Sequence, residues 1–501
     1  MERLLLWPLI VVAGAALFFV YYSGFSIALE APFSLGDEGP SQWAASLLCR
    51  GENPYDVFAL ANHPWRVLIH PPGYYALGSW FIKITGPVLF PMRLISIASF
   101  VILLVTCHRI FTLSGASRLG RALGILTLAS FWSIWSLSYR GRPEMLSLMI
   151  MALAIEQYMV LARKPKDDNL FRLPRLIVIA SLCVVAALIR QETAAVVPAI
   201  SLALIIGRQW RLSLAFMGLF SFLIVGSFWF INEITMGGLS SHTLFALSAP
   251  FTWANLREHL VWLGPDWLVL AFSPLLFISL VVSYVVRFEE REGPYRHRLA
   301  ALSVMNTLFI ISAGVSLYTL GLGFSGVGDF IQVLFATAWM VAVSVDHIKR
   351  RYLLALFLAY GASFYVIFNL RQDALAGVDS MQAAKEVIER TPFNHSLMLA
   401  EEPSVAIAFD AVPEFVDLNT FVSVWSRDKS KYDYIDSVKE RIANQVYGSI
   451  VINSQDGCLI KPHRYWDESV VKLIKAKYRP VVELTTEGRK QDFYVPRKLV
   501  K

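Results

Sequence analysis

Residues 212–231 read LSLAFMGLFSFLIVGSFWFI, a run with no charged side chain and with Phe and Trp gathered towards its end. As a helix rising about 1.5 Å per residue, a run of this length crosses the roughly 30 Å hydrocarbon layer of a bilayer. Residues 4–22 and 353–369 are equally free of charge. The chain as a whole agrees. Of 501 residues, 56% are hydrophobic and 17% charged, with a mean hydropathy of +0.52. A soluble domain carries about a quarter charged residues. The composition therefore excludes an ordinary soluble globular protein and predicts a polytopic α-helical membrane protein.

The net charge of +7 raises the question of nucleic acid. The basic residues stand at the ends of apolar runs, as topology signals do, so no nucleic-acid partner is expected. Arg3 followed by an apolar run with no small-residue cleavage pattern reads as an uncleaved signal anchor. With the N-terminus in the cytoplasm, alternate loops collect the positive charge, among them Arg118 and Arg121, Arg163 and Lys164, Arg208 and Arg211, and Lys349 to Arg351. The spans then fall at roughly 4–25, 88–107, 119–138, 143–162, 174–189, 192–207, 212–231, 265–286, 299–320, 330–346 and 353–369, about eleven in all. Residues 74–85, YYALGSWFIKIT, are too short and carry Lys83; they read as an interfacial or re-entrant helix.

After Asn369 the charge becomes mixed, and helical patterns near 380–390, 431–446 and 466–477 alternate with β-rich runs such as SIVIN (449–453) and PVVEL (480–484). A transmembrane domain over 1–369, with its first outer loop at 26–73, and an extracytoplasmic α/β domain over 370–501 are expected. Cys107 and Cys183 fall in spans. Cys49 and Cys458 would share the outer side, where a disulfide is one option.

Polar residues that the fold does not require collect on that outer side. Asp37 and Glu38 follow the first span; a helix cap is the structural alternative for Asp37. SQWAASLL (41–48) forms an interfacial helix, GENPYD (51–56) a turn, and His70-Pro71-Pro72 a stiff return to the membrane. Ser138-Tyr139-Arg140-Gly141-Arg142-Pro143-Glu144 places two arginines against the positive-inside pattern. They either snorkel to headgroups or form an anion site, with Glu144 orienting Arg142. Arg190-Gln191-Glu192 interrupts two short apolar stretches, as residues lining a cavity do. His63, His70, Arg93 and Asp329 lie on the same side. GLGFSGVGD (321–329) reads as a connection or as a flexible site loop.

DEGPSQWAASLLCRGENPY (37–55), HPPGYY (70–75) and PMRLIS (91–96) together resemble the start of the GT-C glycosyltransferase superfamily. The nearest likeness is to glycosyltransferase 39-type bacterial enzymes, related to protein O-mannosyltransferases and lipid A aminoarabinose transferases. RPEMLSLMIMALA (142–154) is similar to the family's Arg-Pro-Asp-x-Leu segment, with Glu144 for Asp. LIRQETAAVVP (188–198) resembles its Lys-Gln-Thr segment, with Arg190 for Lys and Glu192 inserted. The likeness covers roughly residues 1–210.

The resemblance implies a polyprenyl-phosphate sugar donor and transfer on the extracytoplasmic face to a glycan, lipid or protein acceptor. It implies Asp37 as catalytic base, with Glu38 in reserve. Arg142, Arg190, His70 and Arg93 would bind the donor phosphate, and Glu144, His63 and Tyr139 would support them. No cofactor is required, although Asp37 and Glu144 are candidate ligands for a divalent cation. The sugar phosphate already carries its leaving group, so a base and cations suffice. The competing expectations are a transporter or flippase for a lipid-linked saccharide and a non-catalytic membrane assembly protein.

Overall fold

The computed structural model describes the chain except residues 1–5, 33–37, 87–88, 164–168, 249, 263, 265, 267–269, 271–295, 323–326, 346–349, 392–396, 402, 410, 417, 419–432, 454–465, 467, 487–488 and 498–501. The protein is a helical membrane protein. Among the described residues, 6 helices have the length and composition to cross a bilayer, or 7 if one bent pair counts as a span. They include α1 (Leu6–Glu30), α4 (Leu89–Leu113), α7 (Pro143–Arg163), α8 (Asn169–Ile189) and, beyond the shorter α9 (Val196–Ile206), α10 (Trp210–Ile234), together with the later helix Arg296–Leu322.

The expected eleven spans are met only in part. Apolar helices at Gln191–Ile206, Gly328–Ser344 and Leu358–Asn369 are shorter than a full crossing. Most of the expected span 265–286 lies outside the described residues. The segment at 74–85 forms α3 (Gly73–Thr85), a short helix that buries Tyr74 and Tyr75 and exposes Trp80 and Ile84. That is the length and two-sidedness expected of an interfacial element. It packs on α2 (Gly39–Cys49), which starts with Pro40 in its first turn and is buried along most of its length.

The bent pair is α5 (Arg118–Ser130) and α6 (Trp132–Tyr139), which meet at 70°. A break inside an apolar layer frees N–H and C=O groups that no water can satisfy, and each must find a protein partner. Groups on each side of this break find such partners. Asp266 accepts from the Trp132 N–H at 2.6 Å, from the Ser133 N–H at 3.1 Å and from the Ser133 hydroxyl. The Tyr21 hydroxyl donates to the Ala129 carbonyl at 3.0 Å. The bend aims the end of α6, and the Arg140–Arg142 turn after it, at the buried start of α7.

Helix α7 lies at the centre of the bundle: 72% of its apolar window is buried, against 6% for α10 on the lipid-facing flank. Close approach of α5 to the helix Ile331–Ser344 depends on small residues. A Cβ on Gly124 would stand 2.7 Å from the Ala342 Cβ and 3.0 Å from the Ala338 carbonyl oxygen, so two small residues four apart on each helix face one another.

The expected domain boundary at 369/370 falls inside one continuous helix, Arg350–Glu389, of 40 residues. At 1.5 Å per residue it is about 60 Å long, twice the hydrocarbon thickness, so its polar second half extends beyond the apolar layer. Beyond it lies a five-stranded sheet in the order β2-β1-β3-β5-β4, with β1 at Leu397–Ala400, β2 at Val412–Pro413, β3 at Ser449–Asn453, β4 at Tyr478–Thr486 and β5 at Arg489–Pro496. Strand β1 pairs parallel with β2 and β3, while β3, β5 and β4 run antiparallel. The first outer loop extends this sheet. The Trp65 N–H donates to the Glu414 carbonyl at 2.8 Å and the Val416 N–H to the Trp65 carbonyl at 3.0 Å. The Trp65 ring also stacks on Phe415 with centroids 4.7 Å apart.

Candidate functional site

Two buried ion clusters stand side by side, joined by the turn Arg140–Arg142. The first is built on Arg93, near the start of α4. Its Nε and Nη2 donate to the Glu38 carboxylate at 2.9–3.3 Å, and its Nη1 donates to the carbonyls of Ala28 at 2.7 Å and Ala31 at 2.8 Å. Those carbonyls belong to the end of α1, where orphan acceptors need donors. Glu38 also accepts from the Gly141 N–H at 2.6 Å and from Gln42 at 3.2 Å. Both side chains of the pair are at most 1% exposed.

Glu38 and Arg93 therefore lock α1, α2, α4 and the turn together. Glu38, expected as the reserve base, has its oxygens taken by a guanidinium, an amide and a backbone N–H. Arg93, expected on the donor phosphate, has Nε, Nη1 and Nη2 engaged within the protein. Asp37, one position earlier, lies outside the described residues.

The second cluster centres on Glu144, in the first turn of α7. Arg142 Nη2 reaches its Oε1 at 2.6 Å, and Arg190 Nη1 reaches the same oxygen at 3.1 Å. Arg190, at the end of α8, also pairs with Glu192 at 3.1 Å and with Asp329, and donates to the Gly328 carbonyl at 3.1 Å. The segment 321–329 thus ends against the cluster, and a Cβ on Gly328 would stand 2.6 Å from the Glu144 carboxylate. Residues 323–326 of that segment lie outside the described residues.

Two guanidiniums face three carboxylates here. Side-chain exposure separates the arginines: 16% for Arg142 and 3% for Arg190. Arg142 is the one a ligand can reach, while Arg190 is enclosed by its partners. Glu144, already serving two guanidiniums, is a poor cation ligand in this arrangement. Among the described residues, no three His, Cys, Asp or Glu side chains gather as a metal site.

His70 sits beside this cluster. Its carbonyl accepts from the Tyr55 hydroxyl at 2.6 Å, and the preceding Ile69 carbonyl accepts from Gln191 Nε2 at 3.1 Å. The loop also closes on α8 through Gly73, where a Cβ would stand 2.8 Å from the Leu188 carbonyl oxygen. Burial first, and then the Arg190 charge, hold the His70 imidazole down at about 4, so it is neutral at physiological pH. A neutral ring is not a cationic phosphate anchor.

Two sequence candidates lie elsewhere. His63 Nδ1 meets Glu414 at 2.5 Å and its Nε2 meets the Ser437 hydroxyl at 2.9 Å, beside Arg441 at 3.3 Å from Glu414. It belongs to the seam between the outer loop and the sheet. Tyr139 packs edge-on against Trp135 at 5.1 Å and against Gly24 of α1, as wall material behind the turn. Sequence reasoning also missed Asp266, Glu414 and His242. His242 accepts from the Leu68 N–H at 3.2 Å and bridges to the Asp56 carbonyl at 3.1 Å, and so ties the outer loop at both ends. A lone acid within an apolar run was the available signal for Asp266. Nothing local marked the other two. Cys49, Cys107 and Cys183 are free thiols, and Cys458 lies outside the described residues.

No family model and no curated protein matches this sequence. Solved structures do. The chain is similar to ArnT from Cupriavidus metallidurans bound to undecaprenyl phosphate, over 96% of this chain and 97% of that one, with a TM-score of 0.60 and 11% identity. A second likeness is to the archaeal oligosaccharyltransferase AglB from Archaeoglobus fulgidus in complex with an inhibitory peptide and a dolichol-phosphate. It covers 97% and 74% of the two chains, with a TM-score of 0.47 and 11% identity. At this identity the first likeness is one of fold alone.

Proposed function

We propose that the chain is a membrane glycosyltransferase that moves a sugar from a polyprenyl-phosphate donor to an acceptor hydroxyl at the extracytoplasmic face. One observation carries this reading. Glu38 of the outer loop and the Arg142–Glu144–Arg190 cluster, more than a hundred residues apart in sequence, are joined through the Gly141 N–H at 2.6 Å. That juncture brings the loop, at Glu38, to the turn that carries the part-exposed Arg142 guanidinium, in a fold similar to one solved with undecaprenyl phosphate.

In the proposed reaction Asp37 takes the proton of the acceptor hydroxyl. The acceptor oxygen forms a bond to the anomeric carbon while the bond from that carbon to the phosphate oxygen breaks. The electron pair leaves with the polyprenyl phosphate, and direct displacement inverts the anomeric centre. The Arg142 fork matches phosphate oxygens and stabilises the charge that builds on them. Arg190 acts through Glu144 as a positioning residue. The Glu38–Arg93 pair fixes the start of α2, next in sequence to Asp37. Residues 1–369 form the membrane unit in this reading, and 370–501 an extracytoplasmic unit that shares a side with the outer loop.

The test uses the full chain in vesicles supplied with undecaprenyl-phosphate-linked sugars and a membrane extract as acceptor source. Release of undecaprenyl phosphate with sugar appearing on an acceptor is expected. Movement of the intact lipid-linked sugar across the bilayer without cleavage would replace the reading with a flippase.

A further inference from the structure

The mechanism above leaves two polar atoms beside the cluster without a role. His70 is 9% exposed, and its Nδ1 has no hydrogen-bond partner among the described residues. Gln191 Oε1 is likewise buried without one. The segments that carry them are tied together: Gln191 Nε2 donates to the carbonyl of Ile69, the residue before His70. That bond fixes which end of the carboxamide is left over, and it is the acceptor end. The Tyr55 hydroxyl on the His70 carbonyl fixes the backbone that carries the ring. A buried polar atom left without a partner costs about 1–3 kcal/mol, so such a pair calls for an occupant.

The chemistry of the pair selects that occupant. An amide oxygen only accepts, and it faces no proton on a phosphodiester, whose oxygens also only accept. A phosphate at this point would set two acceptors against each other. A hydroxyl both donates and accepts, which suits an amide oxygen together with a neutral imidazole nitrogen in either tautomer. Arg190, Glu144, Arg142 and Asp329 are the charged groups acting on the ring, and the two arginines together with burial disfavour its protonation.

We propose that His70 Nδ1 and Gln191 Oε1 form a hydroxyl subsite for the donor sugar, next to the phosphate held by Arg142. The proposal rests on the glycosyltransferase reading and reassigns His70 from the phosphate to the sugar. The donor sugar is the source because it is esterified to that phosphate, which brings its ring hydroxyls beside the phosphate site. Discrimination by such a pair is strong, since a site built to bond a hydroxyl penalises a ligand that lacks it.

The probes are undecaprenyl phosphate and undecaprenyl-phosphate-linked glucose, titrated against the full chain in nanodiscs. The wild type binds the glucose-bearing lipid more tightly than the bare one. His70→Leu and Gln191→Leu each lower that preference about three- to tenfold and leave binding of the bare lipid within twofold, as loss of one neutral hydrogen bond does. His70→Asn, whose carboxamide can present either an oxygen or an N–H near the Nδ1 position, restores most of the preference. Equal losses for both lipids would make the pair a phosphate contact and overturn the subsite. Unchanged preference in every variant would assign both atoms to buried water and overturn it too. Wild-type protein that binds neither lipid would remove the glycosyltransferase reading itself.

Discussion

Of the two adjacent acids at 37 and 38, the described one, Glu38, has its chemistry set by its neighbours rather than by its residue type. Glu38 is buried against Arg93 and receives a backbone N–H, so it cannot take a proton from an acceptor without breaking an internal pair. Removing one partner of such a pair strands the other charge and costs about 3–5 kcal/mol. Glu38→Gln should therefore lower thermal stability steeply, whereas Glu38→Gln with Arg93→Met should recover much of the loss; thermal unfolding in detergent measures both. If Glu38→Gln unfolded like wild type yet lost all turnover, the acid would be a reactant and not a strut. The sequence showed that acids and out-of-place arginines gather at one face. It did not show which arginine is already spent. Arg93 and Arg142 both stand beside loop acids, and only the fold reveals that Arg93 also serves the carbonyls that end α1.

At the scale of the element, the break between α5 and α6 carries the geometry of the site. Its N–H groups depend on a single carboxylate, Asp266, contributed from more than a hundred residues away. Asp266→Ala should cost about 1–3 kcal/mol in stability, since it leaves buried donors unsatisfied, and it should shift the turn that carries Arg142. Thermal unfolding together with donor binding checks this; a variant equal to wild type in both would show that the break is held by other means. The apolar periods made most helices legible, α10 most plainly of all. The break was not legible, because SFWSIWSLSY reads as a continuation of the apolar run, and a bend satisfied by a distant acid leaves no local mark. The seam at Trp65 was hidden for the same reason: one parallel bridge between residues 350 positions apart has no sequence pattern.

For the whole molecule, the seam has a topological consequence. Trp65 and His63 bond to Glu414, so the outer loop and the sheet occupy one side of the membrane. Charge patterning separately predicts that this side is the extracytoplasmic face. In a background without Cys49 and Cys458, a cysteine replacing the exposed Lys472 should react with an impermeant thiol reagent on intact cells, and one replacing Arg163 only after permeabilisation. Labelling in the reverse order would invert the topology and remove the proposed reaction from the outer face. The composition alone identified a membrane protein. The change of character after Asn369 was also visible, but not that one helix carries the chain across it.

The most direct measurement is turnover of an undecaprenyl-phosphate-linked sugar by full-length Asp37→Asn in vesicles, read alongside its affinity for undecaprenyl phosphate. Loss of a proton acceptor should cut turnover at least a hundredfold while lipid affinity and melting temperature stay near wild type. Sugar transfer at the wild-type rate by that variant would contradict Asp37 as the base of the proposed reaction.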